Sequence, residues 1–215
     1  MLKGKKISIL GDSISTYRGL SNDASANATT GANPYFYRDP FPPERTYWMR
    51  VILDFQMTLC VNNSWSGGNL SGAEYESAGV NRAAELARDD GQAPDFVIVF
   101  MGINDLGRGV DVSVFAADYE KTLDTVRQKY PEAAVCCVNL PDRDVYVTKR
   151  AEDFNRAIEQ AVRRAGSNFF VADLFHSRLN HDFYYNNTVD GLHPDEDGMR
   201  FIAEVVEDAI RAHFR

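Results

Sequence analysis

The stretch Ile7-Ser8-Ile9-Leu10-Gly11-Asp12-Ser13-Ile14-Ser15 is a short apolar run that stops abruptly in a turn of glycine and small polar residues. Apolar runs of this length, closed by turn formers, read as buried strands. The same form recurs along the chain at Thr58 to Val61, Phe96 to Met101, Ala134 to Asn139 and Asn168 to Ala172. Between them lie longer amphipathic segments, Thr46 to Gln56, Val114 to Tyr130, Thr148 to Ala165 and Asp195 to His213, with a further helix expected over Gly79 to Arg88. Strands alternating with helices are the sequence form of repeated βα units on a parallel sheet. The expectation is an α/β fold of three layers, α/β/α, with a five-stranded parallel sheet in the flavodoxin-like order 2-1-3-4-5. A chain of 215 residues without repeats or linker-like tracts is read as a single domain, 1–215.

With 44% hydrophobic and 25% charged residues, the composition is that of a globular protein able to bury a core. The formal net charge of -8 disfavours nucleic acid and anionic lipid as partners, because both are polyanions. The apolar run Ile7 to Leu10 behind the basic start is too short for a signal-peptide core, so the chain as given reads as cytoplasmic, or secreted or periplasmic if a signal has been removed. No membrane span is expected. Cys60, Cys136 and Cys137 have neither zinc-ligand spacing nor an even count, and are read as small core hydrophobes. No metal site and no cofactor are expected.

In a parallel sheet, ligands bind outside the carboxyl ends of the strands, so a serine in the turn after the first strand faces the crevice. Ser13 is therefore a candidate nucleophile. The second strand ends in Ser64-Trp65-Ser66-Gly67-Gly68-Asn69, where glycine lets backbone N–H groups approach a ligand. The continuous apolar run of a central third strand ends in Gly102-Ile103-Asn104-Asp105, which points the Asn104 amide, a potential oxyanion donor, at the same edge. Near the C-terminus, Asp190-Gly191-Leu192-His193-Pro194 precedes the last helix. A turn can place the Asp190 carboxylate on one nitrogen of His193 while the other nitrogen faces a nucleophile. His176 and His181 are read as surface or packing residues.

These blocks, in this order, resemble the SGNH hydrolase superfamily of GDSL-type esterases, lipases and acylhydrolases. Gly-Asp-Ser-Ile-Ser carries Ser13, Ser-Gly-Gly carries Gly67, Gly-Ile-Asn-Asp carries Asn104, and Asp-Gly-Leu-His carries Asp190 and His193. The resemblance spans nearly the whole chain. It implies a carboxylic ester hydrolase with Ser13, Asp190 and His193 as catalytic residues. It also implies an oxyanion hole from the N–H groups of Ser13 and Gly67 and the Asn104 side chain. The Gly-x-Ser-x-Gly elbow of α/β-hydrolases does not occur. Ser64, where members often have glycine, and Gly68, where an acidic or polar residue is commoner, depart from the pattern and bear on the shape of the acyl pocket.

The substrate is read as a small-molecule ester, with a small acyl group on a carbohydrate preferred. Trp65, Tyr184 and the tyrosines Tyr35 and Tyr37 of an aromatic and proline-rich loop insertion, about 21–45, are candidate stacking faces. The competing readings are a thioesterase or lysophospholipase and, from another class, a catalytically silent carbohydrate-binding protein. A long-chain preference would favour the former, and the complete nucleophile, base and oxyanion set argues against the latter.

Overall fold

The computed structural model describes residues 2–22, 41–142, 148–177 and 186–215. Five strands, β1 Lys6–Gly11, β2 Thr58–Ser64, β3 Phe96–Phe100, β4 Ala134–Val138 and β5 Phe169–Ala172, form one parallel sheet in the order β2-β1-β3-β4-β5. The helices are α1 Tyr47–Asp54, α2 Gly79–Arg82, α3 Ile103–Arg108, α4 Val112–Lys129, α5 Thr148–Ala165 and α6 Glu196–His213. They flank the sheet, α6 packing on α1 and against β4 and β5, and α5 packing on α4 and against β5. The expected α/β architecture and strand order are those observed.

Burial follows from this layering. Every residue of β3 is buried, because the central strand is covered by helices on both faces. Cys136 and Cys137 lie in that core as expected, whereas Cys60 is only half-buried and its thiol donates to Gln92 O at 3.3 Å. The polar Ser8, fully buried in β1, sits where the β1–β2 register shifts between Ile7 and Ile9. A bulge leaves ladder groups unpaired. The Ser8 hydroxyl accepts from Val61 N at 3.2 Å and donates to Leu86 O at 2.7 Å, which satisfies both.

The helix expected over Gly79 to Arg88 ends at Arg82. Tertiary partners capture the backbone that would continue it: the Tyr130 hydroxyl accepts from Leu86 N at 2.8 Å and donates to Ala84 O at 2.7 Å. The Asn63 side chain also donates to Glu85 O at 3.2 Å. Helix propensity is worth only tenths of a kcal/mol per residue, so several long-range hydrogen bonds override it. Conversely, the turn expected after β3 contains the six-residue α3.

At the ends of β4 and β5 one asparagine joins two chain segments. Asn139, fully buried, accepts from Leu174 N at 2.6 Å and Phe175 N at 3.1 Å while donating to Asp173 Oδ1 at 2.8 Å. Asn139→Ala strips two backbone donors of their acceptor and should lower unfolding free energy by about 2–3 kcal/mol, read as a fall in urea midpoint at unchanged slope. A midpoint within error of the wild type would show that water replaces the side chain at no cost.

Candidate active site

The site forms where β1 ends. A Cβ on Gly11 would lie 2.5 Å from Ser15 Oγ and 2.6 Å from Ser64 Oγ, so only glycine allows the strand to turn this tightly. Asp12 then caps a single 3₁₀ turn, Ser13–Ser15, accepting from Ile14 N at 3.0 Å. The Thr16 hydroxyl donates to Ser13 O at 2.7 Å, and Ser15 Oγ lies 2.6 Å from Tyr47 Oη. This turn is pinned on every side, and Ser13 inherits that rigidity.

The serine meets a histidine delivered from 180 residues further on: His193 Nε2 is 2.9 Å from Ser13 Oγ. On its other side His193 Nδ1 is 2.7 Å from Asp190 Oδ2. The second Asp190 oxygen accepts the backbone N–H of Leu192 at 3.0 Å and of His193 at 2.8 Å, so the Asp-Gly-Leu-His turn is closed on itself. An isolated bridge, Thr188 to Pro194, holds the ends of this turn before α6 begins. Partial burial would raise the Asp190 carboxyl, but the His193 backbone and ring N–H groups hold it below the usual carboxylate range. An ionised carboxylate only accepts, so Nδ1 carries the imidazole proton and Nε2 is left to accept from the serine hydroxyl. The array can therefore take a proton from Ser13 without rearrangement.

Gly67 and Asn104, expected at the same edge, are brought together across the crevice. The Asn104 amide nitrogen donates to Gly68 O at 3.0 Å, and Arg108 donates to Gly67 O at 2.7 Å. Among the described residues, the Gly67 N–H and the second Asn104 amide hydrogen have no acceptor. A turn whose carbonyls are held while an N–H and an amide hydrogen stay unspent can stabilise an oxyanion. Trp65 is half-buried beside it, its backbone N–H donating to Gly11 O at 3.2 Å. Tyr35, Tyr37 and Tyr184 lie outside the described residues.

Three further residues shape the site. Arg82, 2% exposed, donates to Gly11 O at 3.1 Å, to Ser77 O at 3.0 Å and to Asn63 O, joining the ends of β1 and β2. No sequence pattern marks it. Asp105, fully buried, accepts from Leu70 N at 2.7 Å and Ser71 N at 2.9 Å, and its place beside Asn104 was the only available signal. Arg108 is the third, and nothing in the sequence distinguishes it from an ordinary cation in the last turn of a helix. The Asp-x-x-His spacing is also not specific. Asp173 stands three residues before His176 and contacts it at 2.9 Å, but the His176 side chain is 71% exposed and no described hydroxyl faces its ring. Among the described residues no cluster of three or more His, Cys, Asp or Glu side chains is arranged to hold a metal ion, and no helix is long and apolar enough to cross a membrane.

Fold and site together define an ester-bond hydrolase built on a doubly wound sheet. The chain belongs to the GDSL-like lipase/acylhydrolase family, whose model matches residues 9–201. Among solved structures, a protein from Lactobacillus plantarum is 20% identical with a TM-score of 0.76, the match covering 100% of both chains. A candidate GDSL-like lipase from Bacteroides ovatus is 21% identical with a TM-score of 0.71, over 98% of this chain and 99% of the other. A family two carbohydrate esterase from Clostridium thermocellum, in complex with cellohexaose, is 17% identical with a TM-score of 0.72, over 100% of this chain and 66% of the other. No curated protein matches the sequence significantly.

Asp12 offers a test of the electrostatics beside the serine. Burial raises its carboxyl to about 7, the Ile14 N–H and the Arg82 charge offsetting only part of the effect. Between its ordinary value and 7 the folded protein holds a proton that the unfolded chain releases, so this residue makes folding less favourable as pH rises through that window. Asp12→Asn keeps the acceptor for Ile14 N but does not titrate. Its stability relative to wild type should rise between pH 4 and 7, by at most about 1.4 kcal/mol per pH unit, and level off above. Denaturation midpoints that run parallel for the two proteins would contradict this.

Proposed function

We propose that the protein is a serine esterase that removes a small acyl group, acetyl above all, from a hydroxylated, carbohydrate-like alcohol. The observation that carries the reading is the unbroken chain from Ser13 Oγ through His193 to Asp190, with contacts of 2.9 and 2.7 Å. His193 takes the Ser13 proton as the oxygen attacks the ester carbonyl, then gives it to the departing alcohol, leaving an acyl-enzyme. Water, activated by the same imidazole, hydrolyses that intermediate and restores the serine. Asp190 holds the ring and stabilises the imidazolium as it forms. The Ser13 and Gly67 N–H groups and the Asn104 amide bind the oxyanion of both tetrahedral intermediates.

The small-acyl, carbohydrate part of the reading is supported by the Ser71, Ser77 and Arg108 side chains that line the crevice beside Gly67 and by the likeness of fold to the Clostridium thermocellum carbohydrate esterase. The substrate is a small molecule. Hydrolysis of p-nitrophenyl acetate, butyrate and octanoate, together with acetylated xylo-oligosaccharides, tests both parts of the proposal. Ser13→Ala should abolish turnover of every ester, and activity equal to wild type would overturn the serine mechanism. A preference for octanoate over acetate would replace the small-acyl reading with a thioesterase or lysophospholipase. Asn104→Ala removes one oxyanion donor and should lower kcat about 10²-fold with little change in KM, an unchanged kcat in the folded variant removing the asparagine from the mechanism.

A further inference from the structure

A cleft of about 360 Å³ opens beside the oxyanion turn, lined by Gly67, Asn69, Ser71, Tyr75, Ser77 and Arg108 among others. Its floor contains an anomaly. Ser71 is 2% exposed, its backbone N–H is taken by Asp105, and its side-chain hydroxyl has no hydrogen-bond partner. A buried polar group without a partner costs free energy, and in native proteins such groups are few. A serine hydroxyl left unsatisfied at the edge of a cleft can turn about one bond to meet a ligand that supplies the missing partner.

The rest of the lining is tied to the scaffold by hydrogen bonds within the chain. Arg108 is tethered to Gly67 O at 2.7 Å and to Asn69 Oδ1, both through one terminal nitrogen, so the remaining guanidinium N–H groups are unspent. It pairs with no carboxylate among the described residues. Tyr75 is 60% exposed, yet its backbone is fixed: Tyr75 N donates to Gly72 O at 2.9 Å, and Tyr75 O accepts from Ala78 N at 3.0 Å and Asn81 Nδ2 at 2.8 Å. Its ring approaches Gly72, where a Cβ would stand 2.9 Å from Tyr75 Cδ2 and 3.4 Å from Tyr75 Cε2, so only glycine leaves room for the ring there. An exposed aromatic side chain on a fixed backbone offers a stacking surface.

We infer that this cleft is the subsite for the alcohol half of the ester, taking a neutral, hydroxyl-rich ring that stacks on Tyr75 and hydrogen-bonds the Ser71 hydroxyl and the Arg108 guanidinium. The assignment rests on the esterase reading above for its place beside the oxyanion turn. Gly67 belongs to both the turn and the cleft wall, so a ring seated there adjoins the ester carbonyl. A neutral ligand fits better than an anion, because the Arg108 cation is offset by two carboxylates, Asp105 and Asp118, that accept from the backbone of Leu70, Ser71 and Gly72 along this wall. A long alkyl chain would leave the Ser71 hydroxyl and the guanidinium N–H groups unpaired.

The test is calorimetric titration of the Ser13→Ala protein with a mono-acetylated methyl pyranoside and, separately, with its sodium uronate counterpart. Ser71→Ala and Tyr75→Ala are each introduced into that background, with melting temperatures recorded alongside. The expected result is binding of the neutral sugar ester, weakened at least tenfold by Tyr75→Ala and several-fold by Ser71→Ala. The melting temperature of Ser71→Ala should be equal to or above its parent, since the hydroxyl satisfies nothing in the chain. Equal affinity in all three proteins, a preference for the uronate, or a drop in melting temperature with unaltered binding would overturn the assignment. No sugar binding in Ser13→Ala, while the wild type hydrolyses p-nitrophenyl acetate, would also overturn it and leave the esterase standing. Tyr75-dependent sugar binding in a protein that hydrolyses no ester would support the subsite and remove the esterase.

Discussion

Parallel strands end by turning their last carbonyls toward a common edge, and at that edge the helices have not yet begun to supply donors. In this protein the Arg82 guanidinium meets that constraint. It reaches Gly11 O at the end of β1, Asn63 O near the end of β2 and Ser77 O in the loop beyond. Removing a cation from water costs several kcal/mol, which an arrangement of this kind recovers only through well-aligned acceptors. Asparagines do the same work with neutral amides: Asn62 donates to Ser15 O at 2.9 Å, Asn104 donates to Gly68 O at 3.0 Å, and Asn155 donates to Leu140 O at 2.9 Å while accepting from Leu140 N at 2.8 Å. The crevice is therefore walled by backbone whose hydrogen bonds are already committed, and what remains uncommitted acquires chemical meaning.

That division explains why Ser13 and His193 are so rigidly placed. Ser13 sits on a turn closed by Asp12, Thr16 and the Ser15–Tyr47 contact, and His193 sits on a turn closed by the carboxylate of its own partner. Both turns are closed by hydrogen bonds from within the chain. In the proposed mechanism the approach of serine to imidazole thus requires no ordering at the moment of reaction, which is the condition under which fixed donors contribute most to a transition state.

What could be read from the sequence, and what could not, divides along contact range. β3 announces itself because Phe96 to Phe100 is apolar without interruption, and α5 and α6 because their apolar faces repeat with helical period. Ser13, Asp190 and His193 were legible because each is presented by a turn that a few adjacent residues close. The lower half of the helix expected over 79–88 was not, because Tyr130, 44 residues away, decides where the backbone of Leu86 goes. Arg82 and the orphan hydroxyl of Ser71 are silent for the same reason: burial among distant segments leaves no local periodicity. The two Asp-x-x-His turns make the point most directly. Asp173 and His176 reproduce the spacing and the contact of Asp190 and His193, and only the fold decides which histidine faces a serine.

Two carboxylates flank Ser13, and their surroundings push them in opposite directions. Asp190, partly exposed, receives N–H groups from Leu192 and His193, and so remains ionised well below neutrality. Asp12, adjacent in sequence to the serine and fully enclosed, is raised to about 7 because one backbone N–H and the Arg82 charge do not replace the water it has lost. A second full negative charge beside the nucleophile would oppose the oxyanion that the proposed mechanism develops there. Near neutral pH the enclosed carboxyl carries only part of that charge, while the exposed one carries all of it, next to the imidazole that becomes cationic. Environment, acting on two identical functional groups, separates a turn-forming carboxyl from the carboxylate that orients the base in the proposed mechanism.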